Sequence, residues 1–150
     1  MVTPAPSLGH QRASGVLYAQ LFEAETAQTM VVAAPCDWRL LDGGSVQPDL
    51  MVISRGNFEP GGPLAATATP LLVVEVLSAS NADHDLAVKR HLYESLQVPA
   101  YWIVDATVPS ITVLRLSDRG YVVDAEVTGD DALVTDWPFP VRVVPCRLTA

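Results

Sequence analysis

Three polar residues of this chain stand where packing alone would place apolar ones: Asp49, Glu75 and Lys89. Glu75 interrupts the apolar run 71–77, and alternation along a strand puts it on one face with Val73. A carboxylate in such a run must be paired, protonated or bound to a metal ion, because burying it bare is very unfavourable. The alternative is a glutamate at a strand end that already reaches water.

Lys89 is the only lysine among nine basic residues, the other eight being arginines. Helical spacing puts it on one stripe with Leu86 and Tyr93, the stripe expected to face the sheet. A lysine turned that way could meet Glu75 and act as an electrostatic or acid–base group. The alternative is an ion pair with Asp85, four residues earlier, with the lysine stem at the helix edge.

Asp49 follows Gln47-Pro48 and begins the predicted strand 49–53, whose next residues are the apolar Leu-Met-Val-Ile. It could be a turn residue. If Asp49 and Glu75 lie on neighbouring strands and Lys89 on the next helix, the three residues would form a site for a hard cation. Two carboxylate ligands, completed by water and a phosphate, suit Mg²⁺ or Mn²⁺. Such a metal would activate water and stabilise the leaving oxyanion in phosphodiester hydrolysis. A purely structural Asp–Lys–Glu network is a further interpretation.

The surrounding pattern predicts the elements that must position these residues. Leu8, Leu17, Leu21 and Phe22 indicate a first helix over 7–28 with Ser7 as N-cap. A second helix is predicted over 82–96, capped by Ser80-Asn81. The predicted strands cover 29–34, 37–41, 49–53, 71–77, 100–105, 110–116, 121–127 and 139–144, the last as an edge strand, with a turn at 42–45 and a long loop at 56–70.

The order strand 71–77, helix 82–96, strand 100–105 implies a right-handed crossover between two parallel strands. Strands 110–116 and 121–127 form a hairpin about the turn 117–120. The predicted fold class is therefore α/β, with a mixed central β-sheet, a front helix and a crossover helix.

The composition limits the classes of protein to which this chain can belong. With 150 residues, 49% of them hydrophobic, the chain suits a single domain over 1–150. Its net charge of −8 disfavours a protein that coats DNA, although it leaves room for a nuclease whose metal ions supply positive charge. Cys36 and Cys146 are expected to be ordinary buried thiols. No signal peptide or membrane span is recognised, so a cytoplasmic protein is expected.

Four segments in order resemble one protein family: 47–52 (QPDLMV), 72–80 (LVVEVLSAS), the Asp85–Lys89–Tyr93 spacing, and 98–105 (VPAYWIVD). The series is similar to the Uma-two family of restriction-endonuclease-like proteins, in the PD-(D/E)xK nuclease superfamily. The resemblance runs from about residue 6 to 116. It implies a restriction-endonuclease-like core, Mg²⁺ (or Mn²⁺) at Asp49 and Glu75, and DNA as substrate.

The chain departs from the superfamily pattern at one catalytic position. That pattern places a lysine two residues after the glutamate, where this chain has Leu77. The family resemblance implies that the lysine sits instead on the following helix, at Lys89, and arginine is not equivalent there because it cannot deprotonate. Tyr93 and Trp102 also match the family and are interpreted as packing residues. His10 could bind phosphate or be an ordinary helix histidine.

Members of the family carry a further segment before the Pro-Ser…His stretch, and the expectation here is a domain that is short at its N-terminus. If that segment supplies a sheet edge or a ligand, the site is incomplete. The alternative function is therefore a non-catalytic relative, a nuclease fold retained as a dimerising or interaction module. Exposed strand edges favour self-association, so a homodimer is expected.

Overall fold

The computed structural model describes residues 5–78 and 82–150, which contain two α-helices and ten β-strands. The helices are α1 (Leu8–Ala24) and α2 (Ala82–Ser95). The strands are β1 (Thr29–Ala33), β2 (Trp38–Arg39), β3 (Ser45–Val46), β4 (Leu50–Ser54), β5 (Leu72–Val76), β6 (Ala100–Asp105), β7 (Ser110–Ser117), β8 (Gly120–Thr128), β9 (Leu133–Thr135) and β10 (Val141–Val143). Neither helix in these described ranges is long and apolar enough to cross a bilayer.

A six-stranded mixed sheet, in the order β1-β4-β5-β6-β7-β8, organises the fold. Strands β5 and β6 are parallel, and the other neighbouring pairs in this sheet are antiparallel. Helix α2 connects the parallel pair, which is the predicted crossover, and α1 precedes the sheet as the predicted front helix. The expected α/β class with a mixed central sheet is confirmed.

Strand β5 lies in the middle of the sheet and is buried on both faces. Its near-continuous apolar sequence is typical of such a position. Leu72, Val74 and Val76 pack into the core cluster that contains the buried residues of α1. Val73 packs with Tyr93 of α2 on the other face. The alternation along β5 therefore turns Glu75 toward α2.

The N-terminal start of α1 is as predicted, since Ser7 Oγ accepts a hydrogen bond from the His10 backbone N–H at 3.1 Å. The helix ends at Ala24, four residues earlier than predicted, because the next residue is extended. Two of the four apolar residues whose spacing predicted this helix do not reach the core: Leu8 is 91% exposed and Phe22 is 54% exposed. The buried stripe consists of His10, Ala13, Leu17 and Leu21.

Two predicted strands differ in the structure. The segment 37–41 is extended only at Trp38–Arg39, and it pairs with β3 in a separate two-stranded sheet. A tight turn shortens it: the Leu40 backbone N–H donates to Gly44, and Gly43 has the positive φ of 93° that favours glycine. The segment 139–144 is not an edge of the main sheet, because β10 pairs with β9. The predicted cap at Ser80-Asn81 lies outside the described residues.

Candidate active site

Asp49 and Glu75 lie at the same end of two neighbouring central strands. The antiparallel register pairs Leu50 with Val74, and one further step along each strand brings Asp49 opposite Glu75. The Asp49 side chain is fixed there because the Val76 backbone N–H donates to its Oδ2 at 2.8 Å. The two acids that the sequence singles out are thus brought together by sheet pairing.

Both carboxylate oxygens of Glu75 have hydrogen-bond partners, although the residue is only 4% exposed. The Tyr93 hydroxyl donates to Oε1 at 2.6 Å, and Lys89 Nζ donates to Oε2 at 3.1 Å. Burial raises the pKa of Glu75 to about 7. The Lys89 charge and the Tyr93 hydrogen bond act to lower this pKa, and the Asp49 charge acts with burial to raise it. Glu75 is therefore a paired carboxyl that exchanges its proton near neutrality.

Lys89 lies between two carboxylates. Besides Glu75 it contacts Asp85 Oδ2 at 3.2 Å, one helical turn earlier on α2. Burial acts to lower the pKa of Lys89, but the charges and hydrogen bonds of Glu75 and Asp85 together outweigh burial, and the pKa is raised. Both contacts considered for Lys89 from the sequence are therefore present: one with Glu75 on the sheet and one with Asp85 along the helix. Its ammonium group stays protonated at neutral pH.

His10 adjoins the same site, which the interpretation as an ordinary helix histidine did not anticipate. Its Nε2 lies 3.3 Å from Asp49 Oδ2, and its Nδ1 lies 3.0 Å from Gln11 Oε1. The signal that could have found it is spacing: His10 begins the buried stripe that continues at Ala13 and Leu17, so it must face the sheet.

Tyr93 does more than pack. Its ring stands edge-on to Tyr101, with ring centroids 5.1 Å apart, while its hydroxyl binds Glu75. Burial and the neighbouring Glu75 raise its pKa, so the phenol remains a hydrogen-bond donor. Its place four residues after Lys89, on the same stripe, was the available signal. Trp102 is buried in the core and packs there, as predicted.

The site opens into a cavity of about 620 Å³ whose lining includes His10, Asp49, Glu75, Asp85 and Lys89. Three carboxylates against one ammonium leave a charge of −2 when all four are ionised. No set of three or more His, Cys, Asp or Glu side chains within 5–78 and 82–150 is arranged to hold a metal ion. Two carboxylates nevertheless fit Mg²⁺ or Mn²⁺, since Mg²⁺ keeps several waters and is often bound by one or two carboxylates and substrate phosphates.

The raised pKa of Glu75 makes stability depend on pH. Its pKa is 4.5 in the unfolded chain and about 7 in the folded protein, so its contribution to stability is fully present below pH 4.5 and is lost as pH rises through 7. Between pH 5 and pH 8, we expect the free energy of unfolding to fall by about 2–3 kcal/mol relative to Glu75→Gln, which cannot titrate. Urea unfolding of both proteins measures this difference, and a difference constant with pH would contradict the prediction.

A mixed sheet with a β5–α2–β6 crossover, and two carboxylates at the ends of β4 and β5, defines a restriction-endonuclease-like domain. The fold is similar to that of "a putative nuclease belonging to DUF820" from Anabaena variabilis ATCC 29413, with a TM-score of 0.76, 15% identity, and coverage of 99% of this chain and 84% of that chain. The Uma2 family, described as "Putative restriction endonuclease", matches residues 1–143. The chain therefore belongs to the Uma2 family, and the resemblance predicted from four segments is confirmed. None of the curated proteins matches the chain.

Proposed function

We propose that this protein is a metal-dependent endonuclease that hydrolyses phosphodiester bonds of DNA, with Asp49 and Glu75 as ligands of Mg²⁺ or Mn²⁺. The observation that carries the proposal is the grouping of Asp49, Glu75 and Lys89 at one end of the central strands, inside one cavity. Membership of a family described as restriction endonucleases supports it. A site of excess negative charge would repel a phosphodiester, so the charge balance also favours a bound cation.

The bound metal would activate water and stabilise the leaving oxyanion. Other residues of the chain hold the two proposed metal-binding carboxylates, Asp49 and Glu75, in place. The Val76 backbone N–H and His10 orient Asp49, and the Tyr93 hydroxyl orients Glu75. Such partners fix the geometry of ligands before metal and substrate arrive.

Lys89 would act as a charged donor. Its raised pKa keeps the ammonium protonated, so it can donate to a phosphate oxygen or to the attacking water but cannot accept a proton from it. The 3.1 Å contact with Glu75 places this charge beside the proposed metal ligand, where negative charge would develop on the phosphate.

The test is metal binding and cleavage with Asp49→Asn. We expect the parent to bind Mn²⁺ in calorimetry and to cleave DNA with it. Because asparagine keeps the shape but removes a charged ligand, affinity for Mn²⁺ should fall at least about tenfold, with cleavage falling alongside. Asp118→Asn, at an exposed turn residue, is the matched control and should behave as the parent. Unchanged metal binding by Asp49→Asn would contradict the assignment.

The second candidate is a non-catalytic, dimerising relative. Strand β8 forms one edge of the main sheet and exposes Val122 and Val123, which favours pairing with another chain. This candidate predicts a dimer in sedimentation equilibrium that Val123→Lys dissociates, together with no calorimetric Mn²⁺ binding. A monomer that binds Mn²⁺ would exclude it.

A further inference from the structure

A second cavity, of about 470 Å³, lies beside the proposed metal site and shares His10 and Asp49 with it. It runs between α1 and the end of β1, and we call it the α1 groove. Its helix wall carries Gln11, Ser14, Gly15 and Tyr18, and its opposite wall is formed by residues 33–35. A molecule held at Asp49 could therefore extend directly into this groove.

Gly15 contributes no side chain to the helix wall of the groove. A glycine in the interior of a helix weakens that helix relative to alanine. Gly15 does not have a positive φ, and, apart from its two chain neighbours and the backbone of its own helix, no described atom lies within 4 Å of the position that a Cβ would occupy. Neither backbone geometry nor close packing in the described part of the chain thus requires glycine here. The consequence of the missing side chain is free space in the wall of the groove.

The chemistry of the groove suits a flat, uncharged group. Among the described residues that line it there is no lysine or arginine, and the imidazole of His10 and the carboxylate of Asp49 lie at the end shared with the proposed metal site. The remaining polar groups include the Ser14 hydroxyl and the Tyr18 phenol. The Tyr18 ring stacks on the exposed Phe22 ring, with centroids 6.0 Å apart and planes 25° apart, so the helix offers an aromatic platform. A phosphate would find no lysine or arginine among the described residues of this groove, whereas a nucleobase could stack and form hydrogen bonds.

We infer that the α1 groove receives an unpaired nucleobase of the DNA strand whose phosphodiester lies at Asp49 and Glu75. This inference rests on the proposed function, since it is the shared wall at His10 and Asp49 that connects base and phosphate. A paired base is stacked within the duplex, with its hydrogen-bonding edge occupied, so only an unpaired or extruded base can enter. The preferred substrate is therefore DNA that is single-stranded beside the cleaved bond, such as an overhang or a flap.

Cleavage with Mn²⁺ of two labelled DNAs, one fully paired and one with a single-stranded overhang of the same sequence, tests the inference. We expect the parent to cleave the overhang substrate at least about tenfold faster. Tyr18→Ala removes the platform and Gly15→Gln fills the groove, so each should reduce this preference about tenfold. Ala19→Gln, which adds the same side chain at an exposed position outside the groove, should keep it. Equal cleavage of both DNAs by the parent would overturn the inference.

A measurement of oligonucleotide binding distinguishes failure of this inference from failure of the proposed function. Anisotropy with a fluorescent thymidine octanucleotide and Mn²⁺ should show binding about tenfold weaker for Tyr18→Ala and Gly15→Gln than for the parent and Ala19→Gln. If no DNA is cleaved but this pattern is found, the proposed function fails and the groove assignment stands. If DNA is cleaved but neither variant changes preference or binding, the groove assignment fails and the nuclease stands. Absence of oligonucleotide binding by the parent also overturns the groove assignment.

Discussion

Replacing Glu75 by glutamine is expected to reduce Mn²⁺-dependent cleavage of DNA by at least about a thousandfold. A bound metal ion lowers the barrier to such a reaction by several kcal/mol, and each 1.4 kcal/mol changes the rate by a factor of about ten. Glutamine keeps the shape and one carbonyl oxygen, so the Tyr93 hydroxyl retains an acceptor. It removes the charge that would hold a divalent cation opposite Asp49. The measurement is the single-turnover cleavage rate at saturating Mn²⁺.

The fold of this variant should be intact, so the loss of activity is interpretable. At pH 8 the parent buries an ionised carboxylate that the variant lacks, and Glu75→Gln should unfold at no lower urea concentration than the parent. Glu126→Gln, an exposed position on β8, supplies the matched control and should cleave at the parent's rate. Glu75→Gln cleaving as fast as the parent with Mn²⁺ would remove Glu75 from the metal site.

The central elements were predictable because their sequence patterns are strong. The apolar run of β5 indicates a strand buried on both faces, and the stripe through Lys89 indicates which face of α2 meets it. A polar residue at an apolar position is informative for a physical reason, since burial without a partner is costly. Glu75 and Lys89 could therefore be singled out, and the structure places them 3.1 Å apart.

The other contacts of the site depend on packing between distant segments. His10 and Asp49 are 39 residues apart in the chain and meet only because α1 packs on the sheet near the start of β4. Local spacing shows that a residue faces the core, but it does not show which side chain lies opposite. The hydroxyl of Tyr93 illustrates this, since packing explains its ring but not its bond to Glu75.

The prediction of the short strands was wrong for a related reason. Strands β2 and β3 contain two residues each, too few for alternation to be read. Their pairing depends on the turn at Gly43 and on the buried Trp38, which also bridges to Leu64 across the long loop. Such ladders are determined by tertiary contacts, and a propensity-based reading extends or misplaces them.

Lys89→Met is expected to reduce cleavage by about a hundredfold, because in the proposed function it removes a preorganised positive charge that would lie beside the reacting phosphate. Its effect on stability should depend on pH. The Lys89 charge lowers the pKa of Glu75, so the pKa of Glu75 should be higher in the variant than the value of about 7 in the parent. At pH 6 the carboxyl is largely protonated in either protein and the cost is small. At pH 8 the parent's ion pair is lost, and since Lys89 is one-third exposed we expect a cost of about 1–2 kcal/mol.

Lys89→Arg distinguishes charge from proton transfer. Arginine keeps a permanent positive charge and cannot deprotonate at neutral pH, so a lysine acting as a charged donor should be replaced with a loss of about tenfold or less. A loss as large as that of methionine would indicate that the geometry or the proton of the ammonium group is essential. If Lys89→Met instead unfolds several kcal/mol more easily at both pH 6 and pH 8, the Asp85–Lys89–Glu75 group is a structural network. If Lys89→Met is folded and cleaves like the parent, the only lysine of the chain has no part in the reaction.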